Sequence, residues 1–589
     1  MLKRLTNYTQ LIGAVFLVLF CLNLISVRST GQPTMTSPPQ LLSDPFLQLP
    51  TATSVRVVWF TEFAGSEHRV AYGQNFNSSA IAITTKLSRI REDQDSIGHQ
   101  TQTGQYTRMR DIWRHEAEVT GLTPGIRVPY RVISVREDGK TISSAQFSLA
   151  SCPTPDAPLK ILLTSDHQLK PMTTANLQKV VETIGRVDAV FFVGDLVNVP
   201  DRASEWFDDD RGGALFPSLQ GRANYKLDKN GVKTTYKGGE IIQHAPLFTA
   251  IGNHEVMGRA KNGSLNHEFE DAMPRAVAKQ IYQRKFGKLK LNNAENVSDR
   301  WLKDNSFNTD TYEEIFTLPQ SNQGGKTYYA VSFGDVRLVV LYATNMWRSP
   351  NLDPDTKGKY QERQLNNPDE WGYGQHIFEE IAPGSTQYSW LEQELNSPQF
   401  RRAKYKVVML HHPPHSLGGN IVPPYTDPVQ IIDRNEDGST KAVRYEYPKQ
   451  ADYIIRDVVP LLEAANVQLV FYGHSHLWNR FVSPSRMHFL ETSNVGNSYG
   501  AALGDEKREV PVGYEEDDVA TGDPNGLEPI VPTIAPLLSK DGKPLPYVAS
   551  NDVTVFSIFD TAAGTVSSYR FDTQEPESKV VKFDEFKLE

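Results

Sequence analysis

Val187–Asn198 reads Val-Asp-Ala-Val-Phe-Phe-Val-Gly-Asp-Leu-Val-Asn. Ala189–Val193 is a short apolar run of β-branched and aromatic residues, stopped by Gly194 and followed at once by the carboxylate of Asp195. This pattern predicts a buried strand in a sheet covered on both faces. Ligands of such sheets bind beyond the carboxyl ends of the strands. Asp195 therefore stands where a binding residue would stand. A turn aspartate after a strand-ending glycine has the same local signature, so its company must decide.

That company is extensive. Lys160–Thr164 is a strand candidate ending in Ser165-Asp166-His167-Gln168. Thr174–Gly185 predicts a helix, with apolar Leu177, Val180, Val181 and Ile184 and a closing Gly185. Helix and flanking strands make a βαβ unit, which brings both polar clusters to one sheet edge. Further on, Pro246–Ile251 runs into Gly252-Asn253-His254-Glu255. Tyr405–Leu410 runs into His411-His412-Pro413-Pro414-His415, and Val467–Tyr472 into Gly473-His474-Ser475-His476. Turn chemistry does not account for five such coincidences in one region. Carboxylates, an amide and imidazoles are hard and borderline metal ligands. They outnumber the needs of one four-coordinate ion and suit two ions sharing a carboxylate. His474 and His476 alternate by two, so an extended backbone would point both to one side.

The 589-residue chain has room for more than one domain, and its 39% hydrophobic content supplies a sizeable core. A 10% aromatic content with dispersed charge opposes disorder. The net charge of −9 leaves no broad basic field, so nucleic acid is not expected as the main partner. Lys3 and Arg4 precede the apolar stretch Leu11–Ser26. It is shorter than the ~20 residues of a spanning helix and suits the core of a signal peptide over residues 1–30. An uncleaved N-terminal membrane anchor is the alternative. Removing a signal leaves Cys152 as the sole cysteine, so no internal disulfide is available.

Residues 31–43 read as a Pro/Ser/Thr-rich linker. Residues 44–150 predict an all-β sandwich, with Ser54–Thr61 alternating around Trp59, then Glu67–Tyr72, His115–Thr120 and Pro129–Val135. Proline-rich 151–159 is the connector. The region 160–575 carries the clusters, with insertions near 205–244, 257–326, 416–450 and 499–546. Thr327–Tyr342 predicts a hairpin around Gly334-Asp335, Gln387–Leu395 and Ala451–Ala465 helices, and Asn551–Thr573 closing strands.

Taken in order, these blocks resemble those of the calcineurin-like metallophosphoesterases, with the layout of the purple acid phosphatase branch. The Leu122-Thr123-Pro124-Gly125 turn before the strand bearing Tyr130 resembles a fibronectin type III-like module. The implied fold is an N-terminal β-sandwich followed by an α/β domain of two mixed sheets flanked by helices, an αββα arrangement. The resemblance implies that Asp195 bridges two metal ions. Asp166, Asp195, His476 and the third residue of the first block would hold one. Asp195, Asn253, His411 and His474 would hold the other. Val408, three residues before His411, favours His411 over His412. His254 would not be a ligand; it would face the phosphoryl group and stabilise its charge or protonate the leaving oxygen. Asn198, His412 and His415 are candidate substrate contacts.

This chain departs from the pattern twice. Gln168 stands where the family has His or Gly. Its amide oxygen is a weaker ligand than imidazole for borderline ions. His167 is the alternative, but an adjacent residue on a strand would face the other way. Asn198 stands where the purple branch carries a tyrosine, so the iron–tyrosinate chromophore is not implied. Two divalent or mixed-valence ions remain, with Fe, Mn and Zn all open. The expected activity is that of an exported, acid phosphatase-like enzyme. It would hydrolyse small phosphate monoesters through attack of a metal-bridging hydroxide on phosphorus. A phosphodiesterase or nucleotidase is one alternative, with Trp347, Trp371, Tyr373 and Tyr425 as candidate base-stacking residues. An exported binding protein with a degraded metal site is the other. The oligomeric state is open.

Overall fold

Ile161–Leu163 and Ala189–Phe192 are wholly buried, as expected of strands covered on both faces. Lys160–Thr164 pairs in parallel with Ala189–Phe192, which pairs in parallel with Leu247–Thr249. On its other side Lys160–Thr164 pairs antiparallel with Val553–Asp560. Thr565–Asp572 and Val581–Lys587 complete this six-stranded mixed sheet, carrying it past residue 575. A seven-stranded mixed sheet holds Val336–Val340, Tyr405–Met409, Leu469–Tyr472 and His488–Thr492 in parallel order, with antiparallel strands outside them. One of these, Tyr329–Phe333, forms the expected hairpin with Val336–Val340.

The two sheets face each other through Phe248 and Phe333, Tyr405 and Phe559, and Trp478 and Phe583, with ring centroids 5.9, 5.1 and 4.7 Å apart. Helix Thr173–Ile184 covers the outer face of the first sheet, where Asn176 donates to Thr554 and to the Val555 carbonyl. Gly185 ends this helix at φ 76°. Helices Thr386–Leu395 and Val459–Ala464 cover the second sheet through Leu391, Leu395 and Leu462. The expected 451–465 helix opens as a π-helical turn, Ile454–Val458. Pro460 has no N–H and its ring crowds the carbonyl one turn earlier, which widens the turn before it. This is an αββα domain, and all its polar clusters lie at the carboxyl ends of parallel strands.

The structure, a computed structural model, describes residues 40–102, 107–261, 263–287, 294–348, 360–419, 424–503 and 522–589. The expected leader at 1–30 lies outside them. Among the described residues no helix is long and apolar enough to cross a membrane.

Among the described residues, 46–149 form two larger antiparallel sheets and a small pair, Arg91–Glu92 with Arg108–Met109. One contains Phe46–Gln48, Val55–Thr61, Trp113–Val119 and Ile83–Lys86; the other centres on Glu67–Tyr72 and Val128–Val135. Trp59 joins them by donating to Ser134 Oγ at 3.0 Å. The expected alternation of Val55–Thr61 is not observed, because all its residues except Arg56 are buried. The face opposite Trp59 is covered too, with Phe60 packing on Phe207 and Phe216 of the αββα domain at 5.0 and 5.4 Å. The 205–244 region is likewise more ordered than its composition implies. It holds helix Leu215–Leu219 and the hairpin Tyr225–Lys229/Val232–Tyr236.

His68 and His115 stack inside the sandwich with centroids 3.6 Å apart. His115 hydrogen-bonds Thr61 and Thr84 through its two nitrogens. Burial, with the neighbouring His68, pushes His115 down to about 2. The folded state therefore keeps it neutral, while the unfolded chain protonates it near pH 6.5. Unfolding then takes up a proton, so stability falls as pH drops from about 6.5 toward 2. Between pH 7 and 5 this one group should cost about 2 kcal/mol. Urea titrations at the two pH values should show that loss in the native chain and a smaller one in His115→Gln.

Candidate metal centre

The strands that end at the site are followed at once by backbone that side chains rarely adopt. Asp166, Gln168, Asp195, His474 and His476 have φ of 52°, 43°, 57°, 80° and 54°. Left-handed conformation is uncommon outside glycine and collects at functional sites. It turns each chain sharply after its strand and aims successive side chains inward. The common direction of His474 and His476 thus comes from two left-handed turns, not from strand alternation. Close approach is part of the design. Gly194, at φ 92°, and Gly252 lie where any Cβ would collide; at Gly252 it would lie 2.3 Å from Asp195 Oδ1.

Two triads result: Asp166, Asp195 and His476, and Asp195, His411 and His474. In each triad the candidate ligand atoms lie within 4.8 Å of one another, and all these residues are buried. Asp195 belongs to both. His411 Nε2 is 3.3 Å from Asp195 Oδ1, and His476 Nε2 is 3.3 Å from Asp166 Oδ1. Asn253 Oδ1 is 3.1 Å from His474 Nδ1. Gln168 Nε2 donates to Asp195 Oδ2 at 2.9 Å. His167 faces away, bonded to Thr164 Oγ1 at 2.9 Å and packed on Phe192, and burial lowers it to about 3.

Burial pushes the Asp195 carboxyl up, but His411, His254 and His474 together pull it below the ordinary carboxylate range. Burial opposes a charged His411, yet the Asp195 carboxylate outweighs it and raises His411 to about 10. Burial and the charge on His411 lower His474 to about 3. Without a cation, one proton on His411 thus offsets the buried carboxylate. A metal ion would take over that charge. The donor orientations fit this. His411 Nδ1 donates to the Val193 carbonyl at 2.7 Å, which leaves Nε2 to face Asp195. His411 Nε2 and Gln168 Oε1 are both buried without a hydrogen-bond partner. Such atoms are costly unless a cation or water meets them.

His254 borders the triads. Its Nδ1 donates to the Asn198 carbonyl at 2.6 Å, and its Nε2 lies 4.0 Å from Asp195 Oδ2. Asn198 Nδ2 is committed to the Gln168 carbonyl at 2.6 Å. His412 packs beside His474 and Tyr425, with centroids at 5.4 and 4.8 Å. His415 is not brought into the cluster; it pairs with Asp523 at 2.7 Å and packs on Phe489. Of the aromatic candidates, Tyr425 and Trp371 are buried and their polar atoms donate to the Thr344 and Gln364 carbonyls. Tyr373 packs on Trp371, and Trp347 is 43% exposed.

Four supporting residues were not singled out from the sequence. Glu255 accepts the backbone N–H groups of Asp195, Leu196 and Gly252 at 2.7–2.8 Å, tying two of the loops together. Burial, with the nearby Asp195, raises it to about 8. Its place right after Asn253-His254 was the available signal. Asn497 Oδ1 meets His476 Nδ1 at 2.7 Å. Phe269 stacks on His254 at 4.9 Å, and Tyr499 covers His476 at 4.5 Å. These three come from other segments, Phe269 from the end of helix Leu265–Phe269, and carry no local signature.

The profile of the calcineurin-like phosphoesterases matches residues 159–477, more than half of the chain. The chain belongs to that family of metal-dependent hydrolases. Its fold is similar to that of a purple acid phosphatase from yellow lupin (Lupinus luteus) seeds, at 15% identity and a TM-score of 0.51, covering 92% of this chain and 73% of that one. PhoD also matches, at 12% identity and a TM-score of 0.41, over 94% of this chain and 93% of that one. A search of the curated proteins finds no match to the chain.

Gly252→Ala places a methyl group against Asp195 Oδ1. It should weaken metal binding by about 10–100-fold with far-ultraviolet circular dichroism unchanged. Metal titration of the apo-protein gives the affinity.

Proposed function

We propose that this chain is an exported phosphoesterase that hydrolyses small phosphate monoesters at a two-metal centre. The observation that carries this reading is the pair of buried triads sharing Asp195. Asp166, Gln168, Asp195 and His476 would hold one ion, and Asp195, Asn253, His411 and His474 the other. Such ions, when bound, activate water near neutral pH and offset charge on the phosphoryl group. Export rests on the apolar stretch Leu11–Ser26 behind Lys3 and Arg4.

The chain's own groups do the rest. Glu255 fixes the loop that carries Asp195 by its three backbone contacts. His254 supplies the proton. A carbonyl only accepts, so its bond to Asn198 places one proton on Nδ1; burial lowers His254 below its ordinary value, so Nε2 carries the second proton, the one offered to the leaving group, on the acid side of that value. Nε2–H then protonates the departing alkoxide. His254→Ala should lower kcat by about 10²–10⁴-fold and leave metal content unchanged; loss of metal would assign it a ligand's role instead.

Gln168 makes the first site richer in oxygen than a histidine would. Gln168→His should therefore tighten Zn²⁺ at one of the two sites, by about tenfold or more, as read by competition with a chelator. An unchanged affinity would remove Gln168 from the ligand set. The diesterase or nucleotidase reading draws on Tyr499, 64% exposed beside His476. A panel of monoesters, diesters and nucleotides separates it from the monoesterase reading, and an inert, metal-free chain would favour a binding protein.

A further inference from the structure

The β-sandwich does more than pack against the phosphoesterase domain. Its loop at Arg91–Ser96 enters a buried network beside the site. Asp93 is 1% exposed, and its carboxylate takes two hydrogen bonds from Arg202, from Nε at 3.2 Å and Nη2 at 2.9 Å. Arg202 Nη1 donates to Glu205 Oε1 at 2.8 Å. Glu205 Oε2 accepts the backbone N–H groups of Asn198 and Val199 at 2.6 and 3.0 Å. The carbonyl of that same Asn198 holds His254 Nδ1.

A second path runs from the same carboxylate. Asp93 Oδ2 accepts the Leu265 N–H at 2.8 Å, at the start of helix Leu265–Phe269. Asp95 Oδ2 accepts from Ser264 and Asn266 at 3.1 and 3.2 Å, and Arg91 bonds Glu268 at 2.7 Å. The last residue of this helix, Phe269, stacks on the His254 ring at 23° between planes. One sandwich residue thus braces both the atom that anchors the His254 ring and the ring that lies against it.

We infer that Asp93 is a positioning residue for His254, acting through Arg202, Glu205 and Asn198 on one side and through Phe269 on the other. The sandwich is then part of the proton-donating apparatus. This rests on His254 as the proton donor. A donor matters most for a poor leaving group and little for a good one, because an alkoxide must be protonated as it leaves and a nitrophenolate need not be. Simple gluing of two domains has no such selectivity.

The test compares Asp93→Asn with the native full-length, metal-loaded chain on β-glycerophosphate and p-nitrophenyl phosphate. The expected result is a fall in kcat of about tenfold or more on the alkyl ester and of less than about threefold on the aryl ester. KM and metal content should stay unchanged. In a His254→Ala background the same substitution should add nothing, because the two residues act as one unit. Equal loss on both esters, or a loss that multiplies in that background, would overturn the inference. Arg202→Lys keeps the charge but loses the two-pronged grip. It should show the same ester selectivity, and it decides the matter if Asp93→Asn does not fold. Should His254→Ala itself not discriminate between the esters, the proton-donor reading fails on its own, and the double-variant cycle still reports whether Asp93 acts through His254.

Discussion

The structure depends on keeping the Asp195 carboxylate charged where water cannot reach it. An unpaired buried charge is prohibitively costly. Every loop at the carboxyl ends of the two sheets is bent toward meeting that cost. His411 and His474 come from the second sheet, and His254 and Asn253 from the edge strand of the first. Asp166 is a second acid only one strand away, which doubles the demand for positive charge. A site that concentrates two acids and three imidazoles in a dry pocket is stable as a protein only with protons or cations in it. That is the physical link between this fold and metal-dependent hydrolysis.

The surrounding contacts follow from the same demand. Candidate ligands aimed by left-handed turns are held in a costly backbone conformation, so their loops must be secured from outside. Glu255 does this for Asp195 and Gly252, the Val193 carbonyl for His411, and Asn497 for His476. The bracing extends through Glu205 and Arg202 to Asp93, so an N-terminal all-β region reaches His254. Covering the four-stranded sheet on both faces gives this junction a shared core, since Phe46 and Phe60 belong to the same apolar cluster as Phe216 and Phe316.

Much of this was legible from pattern alone. Apolar runs closed by Gly and a polar cluster located the strands to within a residue or two at Lys160–Thr164, Ala189–Phe192, Tyr405–Met409 and Leu469–Tyr472. The structure turns His167 into the core against Phe192. Other readings needed contacts that no local pattern encodes. Val55–Thr61 was expected to alternate and does not, because two remote helices, carrying Phe207 and Phe216, cover its second face. His415 shares its segment with His411, but Asp523 draws it away.

By itself the sequence determined the class of fold, the residue types at the strand ends and hence the chemistry they can support, because strand periodicity and ligand type are local properties. Only the tertiary structure decided which residues converge. It joined Asp166 to His476 and Asp195 to His411 across two sheets, oriented each imidazole through a partner distant in the chain, and brought Asp93 of the sandwich to bear on His254. Those choices rest on burial and on hydrogen bonds between segments hundreds of residues apart, which exist only once the two sheets have packed.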